Sequence, residues 1–336
     1  MSEPPAFRYR DRHLFGVSAS QLRRAPWVSP THGTYLHAAD CDDLRALCRA
    51  IALALPGDAV FTHVTAAALR DWWLPSLAIP LIARSGADAP HLDRRGVYVR
   101  RCAIPQGQRV GIGGLRLATS ERTIVELAED LSLIDLVVAI DGALHRGDCD
   151  LASLRRAVVP RRRGVRVLRR AIELADGRSE SPWETILRLV HVLCGVTVTP
   201  QYVVTEDNGT FVARGDLRVG NSRRLHEYDG AVHRELNQQR DDLRRDKALS
   251  RIYWERYGFA APEIRADPGR IIRDAETALG LPHDPQRLQW WWYEYELSSL
   301  SPMGWAALKR RLSRFDRTDL PRPRASSGAR SPFPGV

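Results

Sequence analysis

Apolar residues recur at helical spacing at Trp183, Ile186, Leu187, Val190 and Leu193, just after Ser181-Pro182. A serine that can cap and a proline suited to the first turn mark where this helix starts. Two alternating segments follow, 198–206 and 210–220, and Asp207-Asn208-Gly209 between them is a tight-turn signal that predicts a hairpin. A polar turn at Asn221-Ser222 leads to a third strand, 224–230. The pattern then predicts a long charged helix over 234–258 and a final strand over 259–266. Helix, three strands, helix and strand make a compact α/β core within 179–280.

Residues 1–85 pattern differently. A short helical stretch at 18–25, a hairpin at 27–37 with Pro30 and Gly33, and an amphipathic helix at 42–55 follow the order of a small winged-helix unit. From 86 to 178 the pattern predicts short strands at 96–104 and 116–119, then helices at 120–130 and 133–147, the second closing on Gly147. The basic run 160–170 reads either as a solvated helix face or as a phosphate-contacting patch. A helical extension over 281–320 carries Trp290, Trp291, Trp292, Tyr293 and Tyr295, whose neighbouring leucines favour packing over base stacking. The tail 321–336, rich in Pro, Ser and Gly, is expected to be disordered. No repeat of 20–50 residues is visible.

Charge narrows the partners. The 336 residues carry a formal net charge of +10, and only Lys247 and Lys309 among the fifty basic residues are lysines. Such an excess favours a polyanion, with DNA the expected partner. Five unpaired-looking cysteines and no apolar run long enough to span a bilayer point to a reducing, cytoplasmic setting without membrane contact.

Candidate chemistry gathers on the strands of the third zone. Alternation puts Val212, Arg214, Asp216 and Arg218 on one face of their strand, and Glu227 and Asp229 share a face of theirs. If the two strands are neighbours, one register brings Asp216, Glu227 and Asp229 together at a sheet end. Three crowded carboxylates repel unless a cation sits among them, and oxygen ligands suit Mg2+ or Mn2+. A metal so held polarises a phosphodiester and lowers the pKa of an attacking water. Ser181 and Glu184 also match a capping box, a role compatible with chemistry because the cap would fix the carboxylate.

The stretches S-P-W-E (181–184), A-R-G-D-L (213–217), H-E-Y-D-G-x-x-H (226–233) and D-L-R-R-D-K-A-L (242–249) together resemble the very-short-patch-repair-like endonuclease domains of the PD-(D/E)xK superfamily. The resemblance covers about 179–266 and implies a restriction-endonuclease-like α/β core. It also implies a metal and active site at Glu184, Asp216, Glu227 and Asp229, joined by His233, Asp242 and Arg245, with Asp216, Glu227 and Glu184 as ligands of Mg2+ or Mn2+. The lysine of a standard E-x-K triad is absent, Asp229 standing in its place. The segments Q-L-R-R-A-P-W-V-S-P-T-H-G-T-Y-L-H (21–37), T-H-V-T-A-A-A-L-R-D-W-W-L-P (62–75) and R-G-V-Y-V-R-R (95–101) make residues 1–175 similar to abortive-infection type IV antitoxins, a winged helix-turn-helix followed by a small α/β domain. This second resemblance implies DNA contacts at Arg23, Arg24 and His32. A second copy of the chain in a homodimer and a toxin or defence-system protein are further expected partners.

Three readings stay open on the sequence. One is a metal-dependent DNA endonuclease with an N-terminal DNA-binding or regulatory region. The second is a non-catalytic DNA-binding transcriptional regulator of the type IV antitoxin kind with a degenerate nuclease domain. The third is a protein that binds a partner through its C-terminal aromatic helices.

Overall fold

The computed structural model describes residues 6–24, 26–76, 82–86, 93–102, 104–230, 236–317 and 333; for 85, 93 and 236–243 only the backbone is described. The chain forms two units. One comprises 1–131, 152–168 and 306–327, the other 132–151, 169–305 and 328–336.

The first unit holds two sheets. Strands β1 (Phe7–Arg8), β2 (Trp27–Val28) and β3 (Thr34–His37) pair antiparallel in the order β1-β3-β2. Helix α1 (Leu44–Ala52) and strand β4 (Val60–Phe61) follow, then α2 (His63–Ala68), β5 (Ile82–Ser85), β6 (Asp93–Arg94), β7 (Val97–Arg101), β8 (Arg109–Ile112), β9 (Leu115–Ala118) and α3 (Ser120–Leu127). The six strands β4 to β9 make a mixed sheet in the order β6-β7-β5-β4-β9-β8. Leu47, Cys48 and Ile51 of α1 pack on Phe61, Ala83, Val97, Leu115 and Leu117 of that sheet.

Two expectations for this half are corrected. The helix predicted at 18–25 is a single 3-10 turn, Gln21–Arg23. Ser18 and Gln21 hydrogen-bond each other through side chain and backbone, diverting groups a helix would use, and Pro26 has no N–H to extend one. The predicted hairpin and the following helix are present, so the order is turn, hairpin, helix, not that of a winged helix. The boundary expected between 85 and 86 also falls inside a sheet, because β5 pairs in parallel with β7.

Near α3 this unit buries an acidic cluster. Glu126 forms ion pairs with Arg84 at 2.9 Å and Arg122 at 2.7 Å, and Arg162 bridges to Glu129 at 2.9 Å. Arg162 and Arg163, from the basic run, are thereby turned toward Glu129 and Asp130. Gly164, at φ +79°, lies against the backbone of Ala128, where an added Cβ would collide with the carbonyl oxygen. Neither that backbone nor the left-handed φ can easily yield. Gly164→Ala is therefore expected to cost about 2 kcal/mol or more in urea unfolding; an unchanged midpoint would contradict the close approach.

The second unit is built on a four-stranded sheet. Helix α4 (Leu133–His145), capped by Ser132, belongs to it, α5 (Leu151–Arg156) falls in the first unit from Ala152 on, α6 (Val165–Leu174) is divided between the units after Leu168, and α7 (Pro182–Leu193) is capped by Ser181. Strands β10 (Val198–Thr205), β11 (Phe211–Val219) and β12 (Arg224–Tyr228) form an antiparallel meander, and β13 (Glu255–Phe259) joins β12 in parallel after α8 (Leu236–Arg251). The second unit is thus larger than the predicted 179–280 core, taking in α4 and the chain after β13 as far as Trp305.

The long helix stops early and the last predicted strand is displaced. Tyr253 takes φ +59°, and the Trp254 ring stacks on Tyr202 at 5.5 Å within the sheet core, so the chain turns there into β13. Residues 261–266 are helix α9 (Ala261–Ala266), not strand: Pro262 opens the first turn and Glu263 Oε2 accepts the Ala260 N–H at 3.0 Å. Helices α10 (Pro268–Leu279), α11 (Gln289–Leu297) and α12 (Pro302–Ser313) complete the chain. Trp291 and Tyr295 pack inward, as expected, whereas Trp290 is 61% and Tyr293 58% exposed. The five cysteines form no disulfide, and Cys48 and Cys194 are buried. Among the described residues no helix is long and apolar enough to cross a membrane.

Candidate active site at the end of the four-stranded sheet

Alternation along β11 holds as predicted: Ala213, Gly215, Leu217 and Val219 are buried, while Val212, Arg214, Asp216 and Arg218 are more open. Strand β12 lies beside β11 with Leu217 opposite His226, so the next residues along are Asp216 and Glu227. Here the ladder gives way to a side chain, since Asp216 Oδ2 accepts the Tyr228 N–H at 2.8 Å. An Asp inside a strand is disfavoured by propensity, and this bond supplies its local reason.

Glu184 comes from the first turn of α7. Ser181 Oγ accepts the Glu184 N–H at 3.2 Å, and Glu184 Oε2 accepts from the Glu180 N–H at 2.8 Å and from Gln201 Nε2 at 3.0 Å. This variant of the capping box ties the carboxylate to both helix and sheet. Burial, and then the charge of Glu180, push the Glu184 carboxyl above its ordinary range.

Asp216 feels both neighbours. Burial pushes its carboxyl up to about 7, and the negative charges of Glu184 and Glu227 add to the shift. Asp216 thus lies within electrostatic reach of Glu184 and Glu227. Their surroundings nevertheless differ. Glu227, 5% exposed, accepts from Arg245 through both oxygens and from Arg256 Nη1 at 2.9 Å, and Arg245 also donates to the Arg214 carbonyl. Arg256 is fastened in turn to Asp246 of α8 at 2.8 Å.

The donor set fits a hard divalent cation in part. Asp216 and Glu184 each keep one oxygen with no hydrogen bond among the described residues, and a cation would relieve their mutual repulsion. Glu227 has both oxygens committed to guanidinium groups. Among the described residues no group of three or more His, Cys, Asp or Glu side chains is disposed to hold a metal ion. As placed, the carboxylates form a pair plus an arginine-bound third member.

Asp229 follows β12, its N–H donating to the Phe259 carbonyl at 3.0 Å, and Gly258 leaves room for its carboxylate, which a Cβ there would strike. Arg245 is brought to the site by α8. His233 lies outside the described residues, and of Asp242 only the backbone is described. In the first unit Arg23, Arg24 and His32 are exposed, Arg23 and Arg24 at the end of the 3-10 turn and His32 between β2 and β3.

Sequence reasoning missed a buried polar chain in the second unit. His191 Nε2 lies 2.8 Å from His226 Nδ1, and His226 Nε2 lies 2.8 Å from Asp274 Oδ2. Burial, and then the charge of His226, push His191 down to about 3; burial lowers His226 as well, against the pull of Asp274. His191 stands one turn after Leu187, on the apolar stripe of α7, and that position was the signal available. Asp246, Arg256 and Asp274 gave none, being charged residues among many.

Two curated relatives, both from Mycobacterium tuberculosis, are Uncharacterized protein MT2308 of strain CDC 1551 and Uncharacterized protein Rv2248 of strain H37Rv. Each is 28% identical over 264 residues, a span covering 75% of this chain and 92% of the relative. No family model matches the chain, and no solved structure matches it significantly.

Proposed function

We propose that this chain is a cytoplasmic, metal-dependent DNA endonuclease with a restriction-endonuclease-like core in its second unit and DNA-contacting residues in its first. The observation that carries the reading is Asp216, half-buried where the β11–β12 ladder stops, with its carboxyl raised by burial and by Glu184 and Glu227. A strand rarely keeps such a residue without a task for it.

Asp216 and Glu184 would hold Mg2+ or Mn2+ through their free oxygens. The bound cation would polarise the phosphodiester and activate a water. The rest falls to the chain itself. The Ser181 cap and Gln201 hold Glu184 in place, and the Tyr228 N–H fixes one oxygen of Asp216 and leaves the other for the cation. Arg245, held at three points, offers a fixed positive charge beside the pair.

A second reading has one observation in its favour. Both Glu227 oxygens are already neutralised by arginine, as in a DNA-binding regulator whose acidic site has lost its task. Supercoiled plasmid incubated with purified protein and Mg2+, Mn2+ or EDTA separates the two. Nicked circles with either metal and none in EDTA are expected. Intact plasmid under every condition, from protein that still retards DNA in a gel, would favour the regulator.

A further inference from the structure

Glu227 is drawn by sequence resemblance into the metal set, yet its environment is that of an anion fully matched by cations. Its carboxylate is almost completely buried, a placement that is costly unless the charge is paired and hydrogen-bonded. Arg245 supplies two bonds and Arg256 a third, and Asp246 fixes the far side of Arg256 through bonds of 2.8 and 3.3 Å. Releasing Glu227 to a metal would strand two guanidinium groups.

Arg245 is the member with capacity left over. A guanidinium has five N–H donors. Three are used, two on Glu227 and one on the Arg214 carbonyl. The side chain keeps 28% of its surface exposed, beside Asp216. A planar donor group locked in orientation, with two N–H groups to spare, is built to receive phosphate oxygens.

We propose that Glu227 is not a metal ligand but the anchor of Arg245, which it presents to a nucleic-acid phosphate next to the Asp216 and Glu184 pair, with Arg256 and Asp246 as positioning residues. The inference rests on the endonuclease reading for its metal half and stands without it for its phosphate half. Glu227 holds Arg245 in one orientation, so the phosphate meets a rigid contact instead of a side chain that must be ordered on binding.

Two titrations test it. Binding of Mn2+ alone is followed by the electron paramagnetic resonance of the free ion, and binding of a short labelled DNA duplex is followed by anisotropy in EDTA across a salt series. Glu227→Gln is expected to keep Mn2+ affinity within about threefold of wild type, whereas Asp216→Asn loses it by about tenfold or more. Arg245→Ala is expected to lower the salt slope of DNA binding by about one, and Asp216→Asn to leave that slope unchanged. Loss of Mn2+ binding in Glu227→Gln equal to that in Asp216→Asn would overturn the assignment, as would an Arg245→Ala protein with wild-type DNA affinity and slope. Should Glu227→Gln fail to fold, the partly exposed Arg245 still decides through Arg245→Ala. A protein that binds no Mn2+ and nicks no plasmid, yet loses slope on Arg245→Ala, would keep the phosphate contact and discard the nuclease.

Discussion

Asp216→Asn is expected to make the protein more stable at pH 8 while abolishing plasmid nicking. The wild-type carboxyl has an ordinary pKa of 3.8 and sits at about 7 in the folded chain, raised first by burial and then by Glu184. Between those values the folded state holds a proton that the unfolded state has released. Stability therefore falls as pH rises from about 4 to 7 and stays reduced above that. Three pH units correspond to at most about 4 kcal/mol. Asparagine keeps an oxygen for the Tyr228 N–H and carries no charge at any pH. Thermal midpoints at pH 8 and pH 5 check the sign, because the gain is expected to be large at the first and to shrink at the second. A variant less stable at pH 8 would show that the carboxylate is well accommodated when ionised. Asp216 would then be an ordinary strand residue rather than one kept at a cost for function.

Arg188→Leu is expected to be the most damaging single change in the second unit. Asp141 is completely buried in α4, and its charge is met by Arg188 at 2.7 Å, the Thr185 hydroxyl at 2.9 Å and the Asp176 N–H at 2.7 Å. Even so, burial outweighs these partners and pushes Asp141 up to about 6. Removing the guanidinium leaves a buried carboxylate without its counter-ion, and the Leu174 carbonyl loses its donor too. Loss of one member of a buried pair typically costs 3–5 kcal/mol, read as a shift in denaturant midpoint at pH 8. The cost is expected to shrink toward pH 5, where Asp141 can take up a proton. The double change Asp141→Asn with Arg188→Leu is expected to recover much of the loss. If Arg188→Leu alone unfolds at the wild-type midpoint, the ion pair is not what holds α4 to α7.

What could be read from sequence followed local rules. The alternation of β11, the turn at Gly209 and the Ser181 cap each depend on a few adjacent residues, and all three stand where the pattern put them. What could not be read was decided by partners distant in the chain. Trp254 ends α8 because Tyr202, some fifty residues away, offers a stacking surface. Pro26 and the Ser18 and Gln21 side chains defeat the helix at 18–25 through hydrogen bonding that a periodicity count does not weigh. For the site, alternation and neighbouring strands suffice to bring Asp216 and Glu227 side by side. No spacing rule says that Arg256 would reach Glu227 from β13, or that His191 would meet His226 and, through it, Asp274.

On the proposed function the Asp216 carboxylate serves chemistry and not the fold. That role is tested most directly by nicking of supercoiled plasmid in Mg2+ or Mn2+, wild type beside an Asp216→Asn preparation whose thermal midpoint has been measured. Wild type is expected to nick only with metal, and a variant that is folded and more stable at pH 8 is expected not to nick at all. Nicking at the wild-type rate by the folded variant would contradict that role.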